Sequence, residues 1–170
     1  EALSCRGMPL EEFQKAGAAV DADEKNRQIR ICMGKRPLPL LIKTEPYPGF
    51  PTDLQSPFMA FLATAQGTSY IEEQVFEGRF ATAKILEQMG AVIRTEDQRA
   101  VIEGHYPLKG AAVNACDLRG GAALMVAALA AEGDTFIGEC HHIERGYEDI
   151  CRDMAALGAH IRWVENDFTR

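Results

Sequence analysis

The sequence predicts an α/β fold built from a repeated unit, and three observations carry this prediction. Apolar segments that suit helices alternate with short strand-like runs. Matching anchor residues recur 64 to 68 residues apart, for example Asp53 with Asp117 and Gly90 with Gly158. The first helix of each unit is apolar on nearly every side, which predicts that it is buried. We therefore expect units arranged about a pseudo-threefold axis, with helices inside and sheets outside.

The first 45 residues or so are predicted to hold only the end of one unit. Lys15–Val20 matches the sequence at which the second helix ends in the other two units, and Gln28–Cys32 alternates like a strand. The leading half of this unit has no counterpart in the sequence. Residues 1–45 are therefore expected to form a partial unit.

The middle unit, about residues 46–110, begins with a proline-rich segment. Prolines within Pro46–Pro51 exclude a helix and stiffen the backbone before Asp53. Asp53 suits the N-cap of a helix over residues 57–65, and Gly67 suits its C-cap. In the last unit, about residues 111–170, Asp117 is the predicted N-cap of the equivalent helix and Gly133 is its predicted C-cap.

Each of these two units is predicted to continue with a strand and a second helix. The second helices are expected to begin at Arg79 and Arg145 and to end at Gly90 and Gly158. Arginine at a helix N-terminus opposes the helix dipole, so local propensity does not explain it. Two such arginines suggest binding of anions such as carboxylate or phosphate, although an ion pair with a nearby glutamate is the simpler alternative.

Two aspartates are candidates for chemistry. If a rigid loop delivers the Asp53 carboxylate to a cleft, this carboxylate can take a proton from a hydroxyl group; a role as a helix cap alone is the alternative. Asp117 and Arg119 form a potential anion-binding corner, where Gly120-Gly121 would leave room for a ligand near the backbone. In the alternative interpretation, Asp117 only caps the helix and Arg119 only pairs with a surface carboxylate.

Composition limits the remaining possibilities. The 170 residues are 46% apolar and 25% charged, as in an ordinary globular domain, and the net charge is −7. An acidic protein is not attracted to nucleic acid or anionic membranes, and no apolar run reaches the roughly 20 residues of a membrane span. The sequence shows no signal peptide, and its first residue, Glu1, predicts a piece of a longer protein.

The five cysteines are odd in number and form no CxxC pair, which favours reduced thiols in the cytoplasm over a disulfide framework or a zinc knuckle. Glu139–His142 has the residue types of a metal site, but adjacent residues of an extended segment point to opposite faces. We therefore predict neither a metal nor a cofactor.

Four motifs resemble the UDP-N-acetylglucosamine enolpyruvyl transferases (1-carboxyvinyltransferases). In order they are Pro48–Gln55, Val75–Phe80, Asp117–Arg119 and His142–Tyr147, and the resemblance extends from about residue 11 to 164. The resemblance implies two lobes, each an inside-out α/β prism of three βαβαββ units. Residues 1–170 would be a single partial lobe with two near-complete units and a partial third.

The resemblance also implies an activity. These enzymes transfer the enolpyruvyl group of phosphoenolpyruvate to the 3-hydroxyl of UDP-N-acetylglucosamine in the cytoplasm, which is the first committed step of peptidoglycan synthesis and so supports cell wall, cell shape and division. The implied catalytic positions are Asp53 and Asp117, and the implied substrate-binding positions are Val75, Arg79, Arg119 and Arg145.

Individual roles follow from the same resemblance. Asp53 matches the carboxylate at the sugar hydroxyl, and Arg145 matches an arginine that binds phosphoenolpyruvate. The Val75 backbone and Arg79 match one wall of the sugar-nucleotide site. The family's reactive Cys or Asp lies in the other lobe, so the complementary lobe is an expected partner and this chain alone should be inactive. The alternatives are a 5-enolpyruvylshikimate-3-phosphate synthase-like transferase and a non-catalytic binding module.

Overall fold

The computed structural model describes residues 9–23 and 25–164. The elements in chain order are α1 Leu10–Lys15, β1 Ala19–Asp23, β2 Gln28–Cys32, β3 Leu41–Lys43, α2 Gln55–Leu62, β4 Thr68–Glu72, α3 Ala81–Gln88, β5 Val92–Glu96, β6 Arg99–Glu103, β7 Leu108–Lys109, β8 Ala112–Asn114, α4 Leu118–Leu129, β9 Ala131–Glu132, β10 Phe136–Gly138, α5 His141–Glu144 and α6 Ile150–Ala156. A 3₁₀ turn, Thr52–Leu54, precedes α2.

The middle unit forms a four-stranded sheet in the order β3-β4-β6-β5. Strands β3 and β4 are parallel because α2 connects them, whereas β6 runs antiparallel to both of its neighbours. In β4 and β6, side chains alternate between the core and the outside, with Ser69, Ile71, Ala100 and Ile102 buried. The element order is therefore βαβαββ, and one face of the sheet covers the interior.

The other two units reproduce parts of this pattern. Around α4, strands β8 and β10 pair in parallel, as β3 and β4 do around α2. After α1, strands β1 and β2 form an antiparallel hairpin like the hairpin of β5 and β6 after α3. A complete βαβαββ unit would continue with strands after α6, but residues 159–164 pair with no described strand. The proposed unit limits at residues 45 and 110 stay a prediction.

A glycine ends the second helix of all three units in the same geometry. Gly17, Gly90 and Gly158 have φ of 97°, 85° and 96°, in the left-handed region that favours glycine. In each case the glycine N–H and the following N–H donate to carbonyls of the last helical turn, which forms a Schellman motif. This shared ending supports the repeat inferred from the sequence.

The core lies between α2, α4 and the inner face of the sheet. Both helices are buried over most of their circumference, as their nearly all-round apolar sequences predicted. The large side chains with almost no exposure include Met59, Leu62, Ile71, Leu86, Ile102 and Leu124. Packing α2 against α4 brings the N-terminal regions of two units to the same part of the molecule.

The predicted C-caps Gly67 and Gly133 are wrong. Helix α2 ends at Leu62 and α4 ends at Leu129, so both glycines lie several residues beyond the helices, in the turns that precede the next strands. After α2, the side chain of Arg36 donates to two carbonyls, Thr64 O and Ala65 O. A distant side chain thus satisfies the acceptors there, which a local sequence pattern does not reveal.

Candidate functional site

Asp53 lies in the 3₁₀ turn before α2 and does not cap the helix. The first helical residue is Gln55, the preceding Leu54 occupies the N-cap position, and no side chain bonds to the free N–H groups there. The predicted cap is therefore wrong. The physical reason is that two arginine side chains bind the Asp53 carboxylate, which therefore does not bond to the free N–H groups of the helix.

The Asp53 carboxylate forms ion pairs with arginines from two other segments. Arg119, in the first turn of α4, donates from Nε to Asp53 Oδ1 at 2.9 Å. Arg79, just before α3, donates from Nη2 to the same oxygen at 3.2 Å. The hydrogen bond from Arg119, and then the positive charges of Arg119 and Arg79, lower the pKa of Asp53, although partial burial opposes the change. Asp53 is therefore an ionised carboxylate at neutral pH.

This pairing bears on the anion-binding corner predicted around Arg119, for which a surface ion pair was the alternative. The guanidinium of Arg119 already binds Asp53, and this hydrogen bond raises the pKa of Arg119. The side chain of Arg119 is 39% exposed and that of Asp53 is 58% exposed. Solvent therefore reaches the pair, and an anion could compete with Asp53 for Arg119.

Asp117 is the N-cap of α4, as predicted. Its Oδ1 accepts a hydrogen bond from Gly120 N at 2.7 Å. Gly120 and Gly121 do not leave room for a ligand, however, and that expectation is wrong. A Cβ on Gly120 would lie 2.8 Å from Cys116 Sγ, and one on Gly121 would collide with the Ile143 side chain. The glycines instead allow the protein's own side chains to pack against α4.

An open cavity of about 330 Å³ lies beside these charges. The lining residues are Phe76, Glu77, Gly78, Arg79, Ala81 and Asp117. Arg79 stacks over the Phe76 ring at 4.8 Å and donates from Nη1 to Thr52 Oγ1 at 2.7 Å. The cavity therefore has a cation on one wall and a carboxylate on another, which suits a polar ligand.

Val75 lies on the segment that leads to this cavity and is half-buried. The N–H of Val75 donates to Glu73 Oε1 at 3.0 Å. Its carbonyl is therefore the backbone group that remains for a ligand. Glu73 was not among the residues predicted from the sequence. The signal was present, because two consecutive glutamates at the end of a strand place one side chain inward.

Arg145 does not open the second helix of its unit, contrary to the prediction. It is the C-cap of the separate short helix α5, which the buried Ile143 anchors, and Asp149 caps the next helix, α6. Arg145 is exposed and makes no hydrogen bond or ion pair within the described part of the chain. Because a Cβ on the adjacent Gly146 would meet Leu118 at 2.7 Å, this segment lies against the first turn of α4.

The structure thus brings most of the predicted site residues together. Asp53, Arg79 and Arg119 are in direct contact, and Asp117 shares the cavity with Arg79. Arg145 reaches the same end of α4 without contacting Asp53. This cluster of opposite charges joins two units of the repeat across the α2–α4 packing.

A family of known proteins matches most of the chain. The family described as EPSP synthase (3-phosphoshikimate 1-carboxyvinyltransferase) matches residues 5–154 of the chain. The chain belongs to this family. The four motifs therefore identified the enolpyruvyl transferase family correctly.

Relatives within the EPSP synthase family carry a more specific name. The UDP-N-acetylglucosamine 1-carboxyvinyltransferase 1 of Legionella pneumophila (strain Lens) is 48% identical over 92% of the chain and 31% of its own length. The UDP-N-acetylglucosamine 1-carboxyvinyltransferase of Desulfofundulus thermocisternus is 49% identical over 85% of the chain and 59% of its own length. The chain thus spans from about a third to three-fifths of these two relatives.

Solved structures confirm the family fold. The crystal structure of the enolpyruvyl transferase NikO from Streptomyces tendae matches 90% of the chain with a TM-score of 0.80 and 32% identity, and the match covers 35% of that chain. An EPSP synthase from Acinetobacter baumannii matches 92% of the chain with a TM-score of 0.68 at 20% identity, and the match covers 36% of that chain. The α/β enolpyruvyl transferase fold predicted from the sequence is confirmed.

Proposed function

We propose that this chain is part of an enolpyruvyl transferase that uses phosphoenolpyruvate and UDP-N-acetylglucosamine in the first committed step of peptidoglycan synthesis, in the cytoplasm. The Asp53 carboxylate, held by Arg79 and Arg119 beside an open cavity, carries the proposal. The relatives named UDP-N-acetylglucosamine 1-carboxyvinyltransferase support the choice of acceptor.

In the proposed reaction, Asp53 accepts the proton of the sugar 3-hydroxyl. A general acid of the complete enzyme protonates phosphoenolpyruvate at C3, which builds positive charge at C2, and the hydroxyl oxygen bonds to C2 as its proton passes to Asp53. C3 then returns a proton to that acid while the bond from C2 to the phosphate oxygen breaks, and phosphate leaves. Fixed cations stabilise the phosphate throughout, which is the role we assign to arginines at this site.

The resting geometry imposes a condition on this chemistry. A carboxylate paired with two arginines is a weak base, because each pair favours its ionised form. We infer that the incoming anionic donor draws the Arg119 guanidinium away from Asp53. The pKa of Asp53 then rises, and the carboxylate becomes a better proton acceptor at the moment when the hydroxyl is in place.

The remaining predicted residues complete the proposed site. Arg145 is exposed without a described partner and lies near the α4 N-terminus, so it is free to bind the donor's carboxylate or phosphate. Arg79 and the Val75 carbonyl border the sugar nucleotide. Asp117 remains tied to α4 through one oxygen and flanks the reacting centre.

The experiment that tests this function combines the chain with the complementary lobe, supplied by the UDP-N-acetylglucosamine 1-carboxyvinyltransferase 2 of Carboxydothermus hydrogenoformans, which is 49% identical over 89% of this chain. Phosphate release is measured with phosphoenolpyruvate and either UDP-N-acetylglucosamine or shikimate 3-phosphate. We expect release with the sugar nucleotide alone, and neither lobe should react by itself. Release only with shikimate 3-phosphate, or binding without release, would overturn the proposed acceptor or the proposed catalysis.

A further inference from the structure

Glu73 is the only buried charged side chain in the part of the chain that the structure describes, with 1% exposure. Burial of a carboxylate is costly unless its oxygens are satisfied by donors. This residue lies immediately after β4, where the chain leaves the sheet and runs toward the cavity. Its neighbour Glu72 points to the other side and pairs with Lys43 at 3.0 Å near the surface.

Four donors satisfy the Glu73 carboxylate. Oε1 accepts from Thr44 Oγ1 at 2.8 Å and from two backbone groups, Val75 N at 3.0 Å and Phe76 N at 3.1 Å. Oε2 accepts from Thr52 Oγ1 at 2.9 Å. The carboxylate thus ties together the strand β3 region, the turn that carries Asp53 and the segment that carries Arg79.

The direction of the bonds at Thr52 is fixed by chemistry. Arginine can only donate, so Thr52 Oγ1 accepts from Arg79 Nη1 and its own hydroxyl proton points to Glu73. Arg79 then uses its other terminal nitrogen, Nη2, on Asp53. A continuous series of hydrogen bonds therefore runs from Glu73 through Thr52 and Arg79 to Asp53.

We propose that Glu73 is a positioning residue that holds Thr52 and the segment of residues 74–76 so that Arg79 is aimed at Asp53. The inference deepens the proposed function, because Asp53 and Arg79 are its site. Glu73 touches no substrate in this account. A glutamine at this position preserves the shape but turns an N–H toward Thr52, so the Thr52 hydroxyl proton loses its acceptor and the contact between Thr52 and Arg79 is weakened.

The direction in which the pKa of Asp53 changes distinguishes a positioning role of Glu73 from a purely electrostatic effect of its charge. Removal of a negative charge by Glu73→Gln would by itself lower the pKa of Asp53, whereas loss of the Arg79 contact raises it. Thr52→Val removes no charge but removes the acceptor for Arg79, so it should also raise the pKa of Asp53. Glu72→Gln removes a neighbouring charge outside the series and is the matched control, for which we expect no rise.

The test is an NMR measurement of the pKa of Asp53, in which the chemical shift of its side-chain carboxyl carbon is followed as a function of pH in this chain without substrate. A rise in its pKa in both Glu73→Gln and Thr52→Val supports the inference. An unchanged or lower pKa in either folded variant overturns it. Because no turnover is needed, this result is independent of whether the proposed function holds, and if Glu73→Gln fails to fold, Thr52→Val alone decides the question.

Kinetics with the complementary lobe give a second readout. Glu73→Gln should lower kcat/KM up to about 100-fold and move the acidic limb of its pH profile to higher pH, since misplacement of a binding group has effects of this size. A purely structural defect would lower the rate equally at every pH and leave the limb in place, which would contradict the inference. A wild-type mixture that releases no phosphate would instead count against the proposed function.

Discussion

At the scale of single residues, Asp53 is held by charge and not by helix capping. Its two arginine partners come from different units of the repeat, and its carboxylate bonds to no N–H at the start of α2. Removal of the carboxylate should therefore affect chemistry more than helix formation. Arg145 presents the opposite situation, because it is exposed and its side chain forms no ion pair with the described residues.

Asp53→Asn should lower kcat about 10²- to 10⁴-fold in the complete two-lobed enzyme, because the amide cannot accept the hydroxyl proton. Steady-state kinetics with both substrates provide the measurement, with thermal unfolding recorded on the same samples. A variant with wild-type kcat would exclude Asp53 as the base. A defect confined to the KM for the sugar nucleotide would make it a binding residue.

The stability of the chain should depend on Asp53 in a pH-dependent way. Its pKa is lowered in the folded state, so its ion pairs stabilise the fold above the pKa of the unfolded state, and this contribution is lost as the pH falls through the folded-state pKa. The difference in unfolding free energy between wild type and Asp53→Asn should be at most about 1 kcal/mol at neutral pH, because the pair is exposed, and should vanish in acid.

Urea unfolding at a series of pH values measures this difference. Glu96→Gln removes an exposed carboxylate that has no ion pair within the described residues, and serves as the control. A difference for Asp53→Asn that grows on acidification would mean that the carboxylate is not stabilised in its ionised form.

Arg145→Ala should raise the KM for phosphoenolpyruvate and also slow the reaction, because a charge-assisted contact is lost in the ground state and the transition state alike. Arg152→Ala, on the neighbouring helix α6, is the matched control, since Arg152 is exposed and bonds locally to Asp153. Equal effects of the two substitutions would show that the charge at residue 145 has no specific role.

At the scale of elements, the sequence predicted those features whose causes are local. The Schellman glycines, the Asp117 cap and the alternating strands depend on neighbouring residues alone. The Asp53 cap and the Gly67 C-cap failed because distant arginines, Arg119 and Arg36, satisfy the groups concerned. Short-range patterns carry no information on such partners.

The candidate site, like the fold, was only partly predictable from the sequence. Family motifs indicated Asp53, Arg79 and Arg119, and the structure places them in contact. The start of a second helix at Arg145 was wrong because the buried Ile143 gives the segment a helical turn of its own. Glu73 was missed because its importance lies in four contacts, two of them to threonines that are distant in the sequence, Thr44 and Thr52.

Gly90→Ala should destabilise the chain by about 1–2 kcal/mol, because a residue with a Cβ is strained at φ of 85°. Nothing surrounds the added methyl group within 4 Å, so the effect isolates backbone strain from packing. Urea unfolding measures it, with Gly34→Ala as the control, since Gly34 has open space but no positive φ. An equal effect at both positions would refute the role of Gly90 in the Schellman motif.

At the scale of the whole molecule, the α2–α4 contact places the charges of two units around one cavity. The inner face of the four-stranded sheet and both apolar helices form one buried core. The proposed site is nonetheless one-sided, because the chain spans about a third of relatives such as the Legionella pneumophila enzyme. The proposed function therefore requires a second lobe that closes over the substrates.

The most direct measurement of the central claim is mass spectrometry of the sugar nucleotide after incubation with phosphoenolpyruvate, the chain and the complementary lobe. We predict a UDP-N-acetylglucosamine that carries an enolpyruvyl ether at its 3-hydroxyl, formed by the wild-type chain and about 10²- to 10⁴-fold more slowly by Asp53→Asn. An unmodified sugar nucleotide, or a product formed equally fast by Asp53→Asn, would contradict the claim that Asp53 is the base of an enolpyruvyl transfer.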